Sequence, residues 1–159
     1  MTRLWGVGFV VALASSLAPT VTRPAPRCPV WTVVERAADD DNLGLVACVG
    51  PRREVGWLDL YNSTSPSAPR ILDDVIGTAF VFATNLLVDP PVRRCGVATS
   101  LLVAAEGVCR DWGHVAIVLS ATPDHLPSWN LYRSLGYRQV RAAISAKSAS
   151  VVLCKLLAA

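Results

Sequence analysis

Residues 84–113 read TNLLVDPPVRRCGVATSLLVAAEGVCRDWG. This stretch joins an apolar run that ends at Val88, a turn that contains Arg93, Arg94 and Gly96, and a segment with helical spacing over Thr99–Trp112. The first N–H groups of a helix have no partner within the helix, and the helix dipole places partial positive charge at the same end. A strand that leads through a basic turn into a helix therefore predicts an anion-binding site.

The residues of the turn fit this prediction. The two prolines before it end the strand, because proline lacks an N–H group and fixes φ. Arg93 and Arg94 bring positive charge, while Gly96 and Ala98 are small enough for a phosphate to approach the backbone. The turn matches neither G-x-x-x-x-G-K-[ST] nor G-x-G-x-x-G, which excludes two common nucleotide-binding loops. The alternative is an ordinary strand-to-helix turn with two solvated arginines.

The spacing of apolar residues predicts the remaining secondary structure. Seven stretches are predicted to be strands: Val30–Val34, Leu43–Val49, Glu54–Tyr61, Gly77–Val88, Val115–Ser120, Tyr137–Ile144 and Ser150–Leu157. Two stretches are predicted to be helices, and each ends before a glycine. They are Thr99–Trp112, before Gly113, and the residues near Pro127 to Leu135, before Gly136. Arg36–Asn42 is predicted to be a solvated acidic loop. Helices between strands imply parallel pairs and hairpins imply antiparallel pairs, so the expected fold class is α/β with a mixed, twisted sheet.

Composition narrows the functional class. The chain has 159 residues, 52% of them hydrophobic, which suits one domain. A net charge of +3 does not indicate a nucleic-acid-binding protein. The five cysteines are scattered and form no C-x-x-C pair, which argues against a metal site and against a disulfide framework. Cys48, Cys109 and Cys154 lie in apolar runs and are expected to be small core residues.

Residues 1–27 are predicted to be a targeting segment and linker, followed by a single domain over 28–159. The apolar run from Leu4 to Ala14 has the length of a signal peptide and is too short for a stable membrane span. Ala14–Pro19 resembles the cleavage motif of plastid-targeting presequences. The expected location is therefore the plastid or another targeted compartment, and otherwise the cytoplasm. The alternatives are a buried N-terminal helix or a misplaced start codon.

Two motifs together resemble a known family. Val88-Asp89-Pro90-x-x-Arg93-x-x-Gly96-Val97-Ala98 resembles the acetyl-CoA signature of GNAT-type N-acetyltransferases, V-x-P-x-x-[RQ]-x-x-G-x-[GA]. Downstream, residues 131–137 read LYRSLGY and are similar to the family's L-Y-x-x-L-G-[FY] motif. The resemblance covers roughly residues 43–157. It implies the GNAT-like acyl-CoA N-acyltransferase fold, a central mixed sheet flanked by helices.

The resemblance also implies roles for individual residues. The backbone N–H groups of residues 94–98, helped by the two arginines, would hold the pyrophosphate of acetyl-CoA, and residues 86–88 would pair with its pantetheine arm. Val88 N–H would polarise the thioester carbonyl, and Tyr132 would be the general acid that protonates the leaving thiolate. The alternative for Tyr132 is a packed aromatic residue. The implied coenzyme-binding residues are Leu86, Leu87, Val88, Arg93, Arg94, Cys95, Gly96, Val97, Ala98, Thr99 and His125.

Several positions depart from the family pattern. His125 and Ser128 stand where Asn and Ala are usual, and His125 could still donate a hydrogen bond. Cys95 is interpreted as a substitution that faces solvent, or alternatively as a thiol whose pKa is lowered by two adjacent arginines at a helix N-terminus. The sequence does not identify a general base, and Asp73, Asp74 and Glu106 are candidates by residue type only. The alternative for Glu106 is a solvated helix residue.

The implied activity is transfer of acetyl from acetyl-CoA to a primary amine of a protein or small molecule, by direct attack in a ternary complex without a metal. The family normally has one or two helices before its second strand that form a wall of the acceptor pocket. Here only about 42 residues precede the Leu43 strand, so either Leu4–Ser16 is a remnant of such a helix or the wall is reduced. The alternative function is a non-catalytic acyl-CoA-binding module or a decayed, truncated paralogue.

Overall fold

The computed structural model describes residues 28–37, 41–64, 80–141 and 150–158. These ranges contain one seven-stranded sheet, two α-helices and a short 3₁₀ turn at Pro90–Val92. The strands are β1 (Thr32–Ala37), β2 (Asn42–Val49), β3 (Arg53–Asn62), β4 (Val81–Val88), β5 (Ala116–Ala121), β6 (Arg138–Arg141) and β7 (Val151–Leu156). The helices are α1 (Val97–Asp111) and α2 (Leu126–Ser134).

The strand order is β1-β2-β3-β4-β5-β7-β6. Strands β4 and β5 pair in parallel, and every other neighbouring pair is antiparallel. The predicted mixed sheet is therefore confirmed. Helix α1 is the crossover between the two parallel neighbours. Helix α2 connects β5 to β6, but β7 lies between them in the sheet, a placement that helix-and-strand order did not predict.

Some predicted boundaries were wrong. The expected acidic loop over Arg36–Asn42 instead contains the last two residues of β1 and the first residue of β2. Helix α1 begins at Val97, two residues before the predicted start, because it follows directly on Gly96. The expected targeting segment, the start of the Gly77 strand, the end of the Tyr137–Ile144 strand, and Asp73 with Asp74 lie outside the described residues.

The core lies mainly between the sheet and α1. Leu101, Leu102 and Ala105 on the inner face of α1 are fully buried against Leu45 and Leu58 on the sheet. Burying a leucine side chain contributes about 1.5–3 kcal/mol, so this face holds the helix in place. A smaller apolar cluster on the other face of the sheet contains Phe80, Ala116, Val118, Val152 and Cys154.

Glycines end both helices as predicted. Gly113 has φ of 76° and donates its N–H to the carbonyl of Arg110. Gly136 has φ of 90° and donates to Arg133. Glycine carries no Cβ, so it adopts this left-handed conformation without the steric cost that other residues pay.

The sheet opens between β4 and β5. Their parallel pairing ends at Ala83 and Leu119, although both strands continue. On the other side of β4, the register with β3 shifts between Trp57 and Asp59, and Asn85 has φ of 55°. The shift leaves one extra residue in β4, which is a β-bulge and bends the strand. The second half of β4 therefore diverges from β5 and leaves a gap beside the N-terminus of α1.

Candidate active site

An open cleft of about 900 Å³ lies beside this gap. It is bounded by the end of β4, the turn before α1, and the first turns of α2. Its walls comprise Leu86, Leu87, Val88, Val92, Arg93, Arg94, Gly96, Val97, Ala98, Thr99, His125, Pro127, Ser128, Leu131 and Tyr132. The structure thus brings together every residue named for coenzyme binding or catalysis except Cys95.

The backbone of β4 offers hydrogen-bonding groups to the cleft. Asp89 N–H donates to the carbonyl of Val55 on β3 at 2.8 Å. Because successive residues of a strand direct their N–H and C=O groups to opposite sides, Val88 directs its own away from β3. The carbonyl of Val88 accepts from Nε of Arg93 at 2.9 Å. Val88 N–H therefore faces the side on which the sheet is open.

The turn before α1 exposes backbone donors. Arg94 and Gly96 both have positive φ, 66° and 90°. The first helical hydrogen bond runs from Ser100 N–H to the Gly96 carbonyl, so the N–H groups of residues 96–99 donate to no group in the described part of the chain. Cys95 N–H instead donates to Val92 at 3.4 Å. Unpaired N–H groups, the helix dipole and two exposed arginines make this end of the cleft a site for an anion.

Cys95 corrects the sequence-based interpretation. It was expected to be a solvent-facing substitution or a reactive thiol, but it forms a disulfide with Cys28. Trp31 contacts the same turn, because its Nε1 donates to Ser100 Oγ at 3.4 Å and its ring lies beside Gly96. The residues before β1 therefore hold the outer side of the turn. Cys48, Cys109 and Cys154 are free thiols; Cys48 is half-buried and the other two are buried.

Tyr132, on α2, also lines the cleft. Its side chain is buried, and its ring packs edge-to-face on Tyr137 with the ring centroids 6.0 Å apart. Burial raises the pKa of Tyr132 above its usual value, because the phenolate would lose its hydration. The hydroxyl is therefore protonated at neutral pH, as a general acid must be. Tyr132 also lines a second, smaller cavity of about 70 Å³ in the sheet opening.

His125 and Ser128, the two departures from the family motif, contact each other. His125 caps the start of α2, and its Nδ1 lies 2.6 Å from Ser128 Oγ. The Ser128 hydroxyl is also 3.1 Å from the His125 carbonyl. His125 is exposed and lines the cleft, so its second ring nitrogen can reach a ligand.

Glu106 does not lie in the cleft. Its side chain is buried, and its Oε1 lies 2.5 Å from Nζ of Lys155 on β7. Sequence reasoning offered it as a base candidate or a solvated helix residue, and both interpretations were wrong because α1 turns this position toward the sheet. Asp59 on β3 is an acidic residue that contacts the opening through Asn85, because its carboxylate accepts from Nδ2 of Asn85, which lines the smaller cavity. Nothing in the sequence pattern singled out Asp59.

Two further properties concern the described ranges alone. Within them, no group of three or more histidine, cysteine, aspartate or glutamate side chains could hold a metal ion. No helix there is long and apolar enough to cross a membrane.

Comparison with known families agrees with this geometry. Residues 10–137 match the model of the acetyltransferase (GNAT) family. The chain belongs to this family. Two curated relatives from Arabidopsis thaliana are the chloroplastic GCN5-related N-acetyltransferases 10 and 4. Each is 31% identical, the first over 86 residues (54% of this chain and 33% of the relative) and the second over 64 residues (40% and 22%). The chain thus spans a third or less of the length of these relatives.

Solved structures share the fold. The GNAT domain of S. lividans PAT superposes with a TM-score of 0.61 at 20% identity, covering 77% of this chain and 64% of that one. The PaiA N-acetyltransferase of Thermoplasma acidophilum, solved in complex with coenzyme A, has a TM-score of 0.56 at 15% identity, covering 73% and 61%. The expected GNAT-like fold is therefore confirmed.

Proposed function

We propose that this GNAT-family protein transfers acetyl from acetyl-CoA to a primary amine in a ternary complex. The observation that carries the proposal is one cleft whose walls combine unpaired N–H groups and two arginines with the buried residue Tyr132. An elongated thioester with an anionic end fits such a cleft. The complex of the Thermoplasma neighbour with coenzyme A supports the choice of ligand.

Each part of the cleft has a distinct task in this proposal. The N–H groups of residues 96–99 and the guanidinium groups of Arg93 and Arg94 bind the pyrophosphate. The open edge of β4 pairs with the pantetheine arm as an added strand would, and Val88 N–H donates to the thioester carbonyl. The amine attacks the carbonyl carbon, the carbon–sulfur bond breaks, and Tyr132 protonates the thiolate that leaves.

Calorimetry tests the coenzyme site. Titration of acetyl-CoA into wild-type protein should show binding, and the Arg93→Ala/Arg94→Ala variant should bind at least about tenfold more weakly, because it loses charge-assisted hydrogen bonds to phosphate. Arg133→Ala is the matched control, since it removes an exposed arginine that does not line the cleft. If the wild type shows no binding at millimolar ligand, the proposed function is wrong.

Single-turnover transfer to a panel of amines tests catalysis. Tyr132→Phe should lower the rate by about a hundredfold, the usual effect of removing a general acid, without weakening acetyl-CoA binding. Tyr61→Phe, which alters a half-buried tyrosine on β3, serves as control. Acetylation that depends on Tyr132 would reject the alternative of an acyl-CoA-binding module, whereas binding without transfer to any amine would favour that alternative.

We further infer that the residues before Cys28 include a plastid-targeting segment. The chloroplastic names of both curated relatives and the cleavage-like motif at Ala14–Pro19 support this inference. The competing proposal is that these residues belong to the domain, since the family match begins at residue 10. Mass spectrometry of the mature N-terminus separates the two, because targeting requires cleavage near Ala18 and the competing proposal requires an intact segment.

A further inference from the structure

The smaller cavity lies in the opening between β4 and β5. It shares Leu86 and Tyr132 with the large cleft, so the two spaces meet at the proposed position of the thioester. Its lining includes the polar residues Thr84, Asn85 and Ser120. At about 70 Å³ it holds a group of a few non-hydrogen atoms, such as the end of an alkyl amine.

Asn85 is fixed in this lining by a carboxylate. Its Nδ2 donates to Oδ2 of Asp59 at 2.8 Å, and its left-handed backbone belongs to the bulge that opens the sheet. An ionised carboxylate only accepts hydrogen bonds, so the amide nitrogen must face Asp59. The carbonyl oxygen of Asn85 is then left to accept from another donor. Within the described residues, Oδ1 of Asp59 also has no hydrogen bond.

The direction of attack connects these groups to the reaction. If acetyl-CoA fills the large cleft, that side of the thioester is occupied, and the nucleophile must approach from the smaller cavity. A neutral amine brings N–H donors, and its nitrogen becomes positively charged as it bonds to carbon. Both properties suit an amide oxygen backed by a half-buried negative charge.

We propose that Asn85 and Asp59 form the acceptor-amine subsite and select primary amines that carry no negative charge beside the nitrogen. This inference rests on the proposed function. The amine nitrogen donates its lone pair to the thioester carbon, and the carbonyl electron pair moves to oxygen. When the carbon–sulfur bond breaks, the thiolate takes the proton of Tyr132, and the excess proton on nitrogen passes to Asp59 and then to solvent. Tyr132 regains a proton from solvent, so no net proton is released. Free amino acids are disfavoured, because their carboxylate would approach the carboxylate of Asp59.

Nuclear magnetic resonance tests the subsite without requiring turnover. The side-chain amide of Asn85 is assigned from its absence in Asn85→Gly, a replacement that tolerates the positive φ. In protein saturated with coenzyme A, propylamine should shift this amide signal, while glycine at the same concentration and ionic strength should not. The shift should disappear in Asp59→Asn and persist in the control Asp111→Asn. The proposed subsite is wrong if propylamine does not shift the Asn85 amide signal, or if the shift is equally large in Asp59→Asn.

Steady-state kinetics gives a second readout. Asp59→Asn should lower kcat/KM for the acceptor amine by about a hundredfold, the low end for a group that handles the amine proton, and leave the acetyl-CoA dissociation constant unchanged. The double variant Asp59→Asn/Asn85→Gly should lower kcat/KM by a smaller factor than the product of the factors for the two single variants, because the two residues act together. Suppose that coenzyme A binds and the wild type transfers acetyl, but Asp59→Asn is as active as the wild type. The proposed subsite is then wrong, and the proposed function still holds. If coenzyme A does not bind, both fail.

Discussion

Removing the Cys28–Cys95 disulfide should destabilise the protein substantially. The two cysteines are separated by 67 residues. In the chain-entropy treatment, a cross-link that closes a loop of this length lowers the free energy of the folded state relative to the unfolded state by about 4 kcal/mol at 25 °C. Measured effects commonly fall between about 2 and 5 kcal/mol. Cys28→Ser should therefore lose a large share of the total stability of a domain, which is about 5–15 kcal/mol.

Urea unfolding of oxidised protein measures this loss. The free energy of unfolding of Cys28→Ser, extrapolated to zero urea, should lie about 2–4 kcal/mol below that of wild type. Wild type treated with a dithiol reductant should approach the variant. Cys48→Ser is the matched control, because Cys48 is a half-buried free thiol whose replacement breaks no bond.

Two results would refute the reasoning. One is an unfolding midpoint of Cys28→Ser equal to that of Cys48→Ser under oxidising conditions. The other is the absence, from a non-reducing digest of wild type, of a peptide that links Cys28 to Cys95. Cys28→Ser should also bind coenzyme A more weakly, because the disulfide holds the outer side of the turn before α1. Calorimetry would detect this change.

Three further outcomes are expected. Burial lowers the pKa of His114 below its usual 6.5, so the unfolded chain takes up its proton first and the free energy of unfolding should fall as pH drops below about 6.5. His114→Gln should flatten this dependence in urea titrations. Glu106→Gln should lower the free energy of unfolding by about 1–3 kcal/mol in the same assay, because it leaves the partly buried side chain of Lys155 without its charged partner. Gly56→Ala should lower the free energy of unfolding by about 1–3 kcal/mol, because the added Cβ would lie 2.9 Å from Cγ1 of Val97, the first residue of α1, and overpack the contact. An unchanged melting temperature would contradict this close approach.

Local patterns in the sequence predicted much of the fold. Strand alternation, helical spacing and the glycine stops are properties of residues close together in the chain, and all the predicted helices and strands that fall in the described ranges are present. The part of the cleft lining that comes from β4 and the start of α1 was predictable for the same reason. Residues 86–99 form one continuous strand–turn–helix unit, so their joint position follows from their order.

The errors concern contacts between distant residues. Glu106 looked solvated because its helix position is polar in type, but Lys155, 49 residues away, provides a buried partner. The sheet position of β7 between β5 and β6 was not predicted either, because strand order depends on which edges pair after collapse. Sequence spacing alone carries no information on such pairings.

By itself, the sequence determined the anion-binding turn, because a basic, glycine-containing entry to a helix makes unpaired N–H groups whatever the rest of the chain does. Only the tertiary structure decided what surrounds that turn. It joins Cys95 to Cys28, and it places Asp59 beside Asn85, 26 residues away, through a shift in strand register. Register and disulfide pairing depend on the packing of the whole sheet, so the groups proposed to select the acceptor are visible only in the folded protein.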